Sequence, residues 1–157
     1  MRDMTTHHLF AGTTTLELPE EWEDRSMYTF VAPEQTRTGG PTMARQQSFR
    51  PNVVVTRELR GNHERVETYA KDQLAASQKQ LPQLRILEET ALQVSGKPAV
   101  MRMFTFVAPP QNVSVQQLQA FVLSGDWVHT FTFSGLPESF SAQRATFDQV
   151  LSQLKVD

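Results

Sequence analysis

The 157-residue sequence contains no cysteine. A structural disulfide, a zinc–thiolate site, a cysteine nucleophile and a cysteine-based lipid anchor are therefore excluded. The sequence also lacks a run near the ~18 apolar residues of a membrane span, and its first residues lack the apolar segment of a secretory signal. We therefore expect a cytoplasmic protein without stable membrane insertion.

No charge of one sign dominates the chain, whose formal net charge is −2. Nucleic-acid-binding domains normally carry a basic surplus, so we expect no nucleic-acid partner. The length favours one domain over residues 1–157, and the 39% hydrophobic content is ordinary for a globular protein.

Motifs for catalysis or metal binding are also missing. The four histidines, His7, His8, His63 and His129, do not have the spacing of a metal site. Neither a phosphate-binding loop nor a dinucleotide fingerprint is present. A hydrolase triad of Ser139, Asp126 and His129 is one alternative, but the nucleophile elbow G-x-S-x-G is absent and Ser139 suits a helix cap. We therefore predict no catalytic residue, no metal site, no cofactor and no enzymatic activity.

Alternating apolar residues bounded by turn-forming residues predict a series of strands. The segments are 13–18, 27–32, a part of 46–58 centred on 53–55, 84–94, 99–107, 115–123 and 127–133. Tight turns at 95–98 and 124–126 predict that the later strands form an antiparallel meander. The stretch 33–44, with Gly39 and Gly40 at its centre, is typical of a loop.

Two segments have helical spacing of apolar residues. Residues 63–81 predict an amphipathic helix capped by Asn62, and Phe140 to Leu154 predict a closing helix capped by Ser139 or Ser141. The order of elements indicates the α+β class. We expect a single, mostly antiparallel, curved sheet of about six strands packed with two long helices.

The strand faces differ in chemistry because successive side chains point to opposite sides. The large aromatics, among them Phe104 and Phe131, are candidates for a helix-covered core. The reverse face is then expected to carry Met, Val, Thr and Gln, including Met101 and Met103. Two helices cannot cover both sides of six strands, so some apolar sheet surface should remain exposed or be buried in an oligomer or by a partner. The alternative is that the 33–49 segment folds over that surface and completes the core.

Charged residues cluster in two places. Trp22 is surrounded in sequence by four acidic residues, Glu20, Glu21, Glu23 and Asp24. This pattern is typical of a solvated turn, and the alternative is an acidic rim around an aromatic anchor. The adjoining third strand is flanked by Arg45, Arg50, Arg57 and Arg60, a local basic character that acidic residues elsewhere balance.

Four segments, in this order, resemble the DcrB-related family. They are the strand, proline and tryptophan turn of Leu16 to Trp22, the strand of Pro51 to Glu58, the hairpin of Ser124 to Ser134, and the helix of Ser139 to Leu154. The resemblance covers nearly the whole chain and implies the α/β/α sandwich of the Mog1/PsbP fold. Within the family, the chain looks most like the Eag-type chaperones of bacterial type VI secretion.

This resemblance implies a non-enzymatic chaperone or adaptor that binds hydrophobic N-terminal segments of a secreted effector, and a homodimer. It places the guest groove along the strands of Val53 and Val55 and of Gln117 and Gln119. With Met101 and Met103 added from the face pattern, these six residues are the predicted partner-binding set. The alternative is a general DcrB-like interaction domain with another role in secretion or the cell envelope.

Overall fold

Eight strands and two helices make up the part of the chain that the computed structural model describes, residues 3–33 and 49–157. In chain order they are β1 (Met4–Leu9), β2 (Thr14–Pro19), β3 (Tyr28–Val31), β4 (Asn52–Leu59), α1 (Val66–Gln80), β5 (Arg85–Val94), β6 (Lys97–Ala108), β7 (Val113–Ser124), β8 (Trp127–Gly135) and α2 (Pro137–Gln153). Six strands form one antiparallel sheet in the order β3-β4-β8-β7-β6-β5. The α+β class and the large antiparallel sheet are confirmed.

The meander from β5 to β8 depends on two tight turns. Ser95 and Gly96 join β5 to β6, and both have positive φ, as a type I′ hairpin turn requires. Gly125, also with positive φ, opens the turn between β7 and β8. These turns set the registers Val94↔Lys97 and Ser124↔Trp127, and therefore decide which side chains share a face.

Helix α2 covers one face of the sheet, which we call the α2 face. Its Phe147 ring lies 4.5 Å from the ring of Phe133 and 5.4 Å from that of Phe140, measured between centroids. The buried residues of this core are Val94, Ala99, Met101, Leu118, Ala120, Val122, Phe131, Phe133, Phe140, Phe147, Leu151 and Val156.

Helix α1 covers the opposite face, which we call the α1 face. Tyr69 packs edge-on against Phe121, with centroids 5.9 Å apart, and its hydroxyl donates a 2.7 Å hydrogen bond to Glu58 Oε1. Burial and this hydrogen bond raise the pKa of the Tyr69 hydroxyl, so it stays a neutral donor. The buried residues here are Val66, Tyr69, Ala70, Val100, Phe121, Leu123 and Val128.

The expected segregation of aromatics from methionines between the faces is wrong. Met101 pairs with Ala120, which pairs with Phe131, so Met101 lies on the aromatic α2 face. Phe104 pairs with Gln117 and lies on the α1 face. Alternation fixes the two faces within one strand, but the register between strands decides which faces coincide.

The expectations of one sheet and two long helices are also wrong. β1, which the sequence analysis missed, pairs with β2 in a separate two-stranded sheet. The helices have 15 and 17 residues. The interpretation of 33–44 as a loop lies, apart from Pro33, outside the described residues.

The helix caps differ from the predicted ones. α1 begins at Val66 after an extended Arg65, not after Asn62, because the chain first turns at Arg60 to His63. α2 begins at Pro137, where proline has the φ of a first helical residue and lacks only a donor that would be unpaired there.

Candidate functional site

The α2 face continues beyond α2 onto β4 and the edge strand β3. Val55 pairs with Phe131 on one side and with Tyr28 on the other, and Val53 pairs with Phe133 and Phe30. The core therefore runs directly into side chains that α2 does not bury. Tyr28 and Phe30 are 58% and 61% exposed, whereas the two valines are partly buried.

Leu59, which is 59% exposed, lies on the same face at the end of β4, opposite Trp127. We call the surface of Tyr28, Phe30, Val53, Val55 and Leu59 the apolar patch. Tyr28, Phe30, Val53 and Val55 adjoin one another across β3 and β4, whereas Arg57 lies between Val55 and Leu59 on this face. Scattered exposed apolar residues are ordinary, but neighbouring ones on one sheet face are typical of a binding surface.

A cleft of about 560 Å³ opens at the Leu59 end of the patch. Its lining includes Glu23 to Ser26 and the β4 residues Thr56 to Leu59, with Trp127 from β8. The Arg57 guanidinium stacks 4.2 Å above the Trp127 ring, a cation–π contact that fixes both side chains across β4 and β8. A second cavity of about 350 Å³ shares Glu23 to Ser26 and extends beneath the β1–β2 hairpin.

Local hydrogen bonds hold the acidic side chains of this cleft. Asp24 Oδ1 accepts hydrogen bonds from the hydroxyl and the backbone N–H of Ser26, which lower the pKa of Asp24. Glu23 pairs with Arg25 at 2.8 Å. Burial, and secondarily the charge of Arg57, lower the pKa of His129, which stands beside Arg57 in the register. The cleft therefore combines the carboxylates of Glu23 and Asp24 with the guanidinium of Arg57.

The predicted partner-binding residues do not form one surface. Val53 and Val55 lie together in the apolar patch, whereas Met101 and Met103 pack in or against the core beneath α2. The Arg144 guanidinium lies 3.6 Å from Met103 Sδ and 3.8 Å from Met101 Sδ, and it also pairs with Glu88. The two methionines are therefore occupied by the protein itself.

Gln117 and Gln119 lie on the α1 face, so the expectation that they share a face with Val53 and Val55 does not hold. Gln117 Nε2 donates to Ser134 Oγ at 3.0 Å, and Gln119 Nε2 donates to Thr132 Oγ1 at 3.3 Å. The reason is again register, because Gln119 stands opposite Arg102, not opposite a methionine. A role of any of the six in binding stays a prediction.

Sequence reasoning missed Tyr28 and Phe30. The signal was present, since two aromatics spaced two residues apart in a predicted strand must share a face. The Arg57–Trp127 stack could not be found in this way, because it depends on the pairing of β4 with β8.

The arrangement offers little for catalysis in the described ranges. Asp126 and Ser139 flank opposite ends of the nine-residue β8, which places them on the order of 30 Å apart along an extended strand. Asp126 lies 3.7 Å from Arg60, and the Ser139 hydroxyl donates to Leu136 O. Within 3–33 and 49–157, no group of three His, Asp or Glu side chains could hold a metal, and no helix is long and apolar enough to cross a membrane.

The chain is similar to known proteins along almost all of its length. Residues 14–153 match the family model described as DcrB. A solved structure of PA94 from Pseudomonas aeruginosa, a protein of unknown function suggested to be a regulator, has a TM-score of 0.75 at 21% identity and covers 98% of this chain and 97% of its own. No curated protein matches the chain.

Two further structures share the fold at low identity. The Ran-binding protein Mog1p of Saccharomyces cerevisiae has a TM-score of 0.51 at 10% identity, with coverage of 93% and 84%. The cyanobacterial PsbP of Synechocystis sp. PCC 6803 also has a TM-score of 0.51, at 9% identity, with coverage of 97% and 91%. The expected Mog1/PsbP-like architecture is confirmed.

Proposed function

The chain belongs to the DcrB family, and on that premise we propose that it is a non-enzymatic chaperone or adaptor that holds hydrophobic N-terminal segments of a type VI secretion effector. The observation that carries the proposal is the apolar patch, where the core of the α2 face continues uncovered by α2 onto β3 and β4. A helix from a membrane-spanning segment is apolar all round and must be shielded before delivery.

The patch suits a helix laid across a sheet. Tyr28, Phe30 and Leu59 project exposed apolar groups around the partly buried Val53 and Val55, so a guest would meet a shallow floor with aromatic and aliphatic sides. Apolar anchors in a groove are the usual basis of helix binding. The cleft with Arg57 and Trp127 lies where a guest would reach the end of its apolar stretch, and its polar groups can satisfy the flanking residues.

The test is co-expression with the N-terminal hydrophobic segment of the effector encoded next to this gene, followed by measurement of the soluble complex. Val55→Asp should release the guest, because burying a carboxylate against an apolar helix without a partner costs roughly 2 kcal/mol or more, which is more than a tenfold loss of affinity. Leu59→Asp should act in the same way and should leave the domain folded, because Leu59 is 59% exposed.

Val150→Asp is the matched control, since Val150 is an exposed valine on α2 outside the patch. It should retain the guest fully. If folded Val55→Asp and Leu59→Asp proteins keep the guest as well as the wild type, or if the wild type leaves every such segment insoluble, the proposal is wrong. Loss of folding in Val55→Asp alone would assign Val55 to the core and leave the Leu59 variant to decide.

A further inference from the structure

The row of side chains that β4 presents on the α2 face changes in character towards one end of the strand. Val53 and Val55 come first, Arg57 follows, and Leu59 ends the row, since residues two apart on a strand share a face. Arg57 is therefore an exposed cation set into an otherwise apolar row. A guest that covers the apolar patch and continues to Leu59 must also cover this cation.

The guanidinium of Arg57 is held in place without the use of its hydrogen-bond donors. Its central carbon lies over the Trp127 ring, 4.2 Å from the ring centroid. A cation–π contact of this kind holds the group through its charge and leaves N–H groups in the guanidinium plane available. Within residues 3–33 and 49–157, no side chain or carbonyl accepts a hydrogen bond from Arg57 or forms an ion pair with it. The side chain is therefore oriented but not paired by the part of the chain that is described.

The carboxylates that line the same cleft differ from Arg57 in this respect. Glu23 is paired at 2.8 Å with the arginine two residues further on, and Asp24 accepts a 2.9 Å hydrogen bond from the backbone N–H of Ser26. Glu58 accepts a 2.7 Å hydrogen bond from a tyrosine hydroxyl of α1. Among the charged side chains in the described lining of the cleft, the one left without a hydrogen-bond partner is therefore Arg57.

The chemistry of the cleft selects a particular kind of ligand. The planar fork of a guanidinium complements a carboxylate, which can accept two parallel N–H bonds. A dianion such as phosphate fits less well, because Glu23 and Asp24 would repel it about twice as strongly as they repel a single charge. Trp127 and Leu59 add apolar contacts to the same lining. The cleft therefore suits a single carboxylate that is joined to an apolar segment.

We propose that Arg57 binds an aspartate or glutamate side chain of the guest, placed directly beyond the apolar stretch that covers the patch. This inference rests on the proposed chaperone function, because the guest supplies the carboxylate. Arg57 lies four residues along β4 from Val53, a distance of roughly 14 Å, which is the length of about nine residues of α-helix. A guest helix that lies along β4 therefore carries its acidic residue two to three turns from the residues that cover Val53.

The carboxylate gives the apolar patch a selectivity that apolar contacts cannot supply. Apolar burial has no preferred direction, so the patch alone would accept many hydrophobic segments in many positions. A charge-assisted pair with Arg57 is directional and fixes the position of the guest along β4. An entirely apolar guest that covered Arg57 would remove water from a cation and offer it no acceptor, which disfavours the wrong guest.

The test compares two helical peptides of about 15 residues, each with leucines on one face, glutamines on the other and blocked termini. One peptide carries aspartate at both ends of the leucine face, and the other carries asparagine there, so that either orientation on the patch is tested. The chain has two tryptophans, and Trp22→Phe leaves Trp127 as the only one, so its fluorescence reports binding at the cleft. In this parent protein, we expect the aspartate peptide to bind about tenfold more tightly than the asparagine peptide.

Two variants of the parent assign the preference to one side chain. Arg57→Gln keeps amide donors but loses the charge, so the preference for the aspartate peptide should disappear while the asparagine peptide binds as before. Arg25→Gln is the matched control, because Arg25 lines the same cleft but is already paired with Glu23, and it should keep the preference. The pKa of His129, followed by NMR, is a second measurement. The charge of Arg57 contributes to lowering that pKa, so the bound aspartate peptide should raise it relative to the bound asparagine peptide.

The outcomes separate this site from the chaperone function. Equal affinity of the parent for both peptides, or a preference that survives Arg57→Gln, would overturn the carboxylate site. If both peptides then still bind and Val55→Asp releases them, the apolar patch binds helices without it. If neither peptide binds, the carboxylate site is wrong, and the co-expression experiment decides the chaperone function by itself. Tighter binding of a third peptide with lysine at the same positions would also overturn the proposal and would assign the cleft to a cation held by Glu23 and Asp24.

Discussion

A buried arginine on the α1 face, Arg102, provides a test of how much an ion pair contributes to the stability of the sheet. Arg102 is 2% exposed, and its Nε donates a 2.8 Å hydrogen bond to Glu89 Oε2. Its guanidinium carbon lies 5.6 Å from the centroid of Phe121. Glu89 is 48% exposed, so the pair joins a desolvated cation to a half-solvated anion. Removing the anion and removing the cation should therefore have different effects.

Glu89→Ala leaves the positive charge of Arg102 buried without its partner. A fully buried pair would lose roughly 3–5 kcal/mol, but water can reach the Glu89 side and replace part of the interaction. We expect a loss of about 1.5–3 kcal/mol, the range of a hydrogen bond to a charged group. For a chain of this length, that lowers the melting temperature by roughly 3–12 °C.

Arg102→Met removes the charge and keeps an unbranched apolar stem that can pack on Phe121. Replacing a buried ion by a hydrophobic side chain of similar volume is often close to neutral, so we expect less than about 1 kcal/mol of destabilisation. Adding Glu89→Ala to Arg102→Met should then cost almost nothing. Urea denaturation of the four proteins measures this cycle. If Arg102→Met is more destabilising than Glu89→Ala, or if the two losses add, the ion pair is not what stabilises this site.

Two further predictions concern the α2 face. Because burial lowers the pKa of His129, the unfolded chain binds a proton near pH 6.5 before the folded chain does, and the free energy of unfolding should fall as pH decreases from about 6.5 to the lower folded pKa. His129→Gln should lose this decrease, which is measured as the urea midpoint at several pH values. If the midpoint of His129→Gln depends on pH as in the wild type, the buried histidine is not the cause. Gly135→Ala should cost about 1 kcal/mol, because its Cβ would lie 2.6 Å from Gln143 Oε1 and 3.3 Å from Phe140 Cδ2. Gln143→Ala in the same protein should restore most of the melting temperature, since it removes the closest atom, Gln143 Oε1, a buried acceptor for which the described residues supply no hydrogen bond. Failure to restore the melting temperature would place the strain at Phe140.

The fold was predictable where local sequence and tertiary packing agree. The strand at 127–133 has strict alternation and begins after a glycine turn, and β8 extends that prediction by only two residues. β1 was missed because its sequence, Met-Thr-Thr-His-His-Leu, has almost no apolar alternation, and its pairing with β2 supplies the order. The start of α2 differs from the prediction because the helical spacing of apolar residues begins only at Phe140, whereas the first helical position is taken by Pro137, whose ring suits it.

The candidate site was predictable only in part, for a reason that applies to any sheet. The three β-branched residues from Val53 to Val55 predict the strand itself, whereas the assignment of Val53 and Val55 to a guest groove comes from the family resemblance. Placing Gln117 and Gln119 relative to them requires the registers of two successive strand pairings, β4 with β8 and β8 with β7, and a one-residue error in either register reverses the face. The Arg57–Trp127 stack joins residues far apart in sequence and depends on the same registers.

The unequal cover of the α2 face follows from the dimensions of its elements. Strands lie about 4.8 Å apart, so six strands span roughly 25–30 Å, whereas one helix with its side chains is about 10–12 Å across. α2 contacts β7 and β8, and Leu154 and Val156 extend that core towards β5 and β6. A helix centred there cannot also reach β3, two strands beyond β8. On the α1 face, helix α1 also covers only part of the sheet. There, polar pairs such as Glu89 with Arg102 and Gln119 with Thr132 lie between the strands and satisfy one another. On the α2 face, the described residues leave Tyr28, Phe30 and Leu59 exposed, because neither α2 nor α1 reaches β3 and the end of β4 on this side.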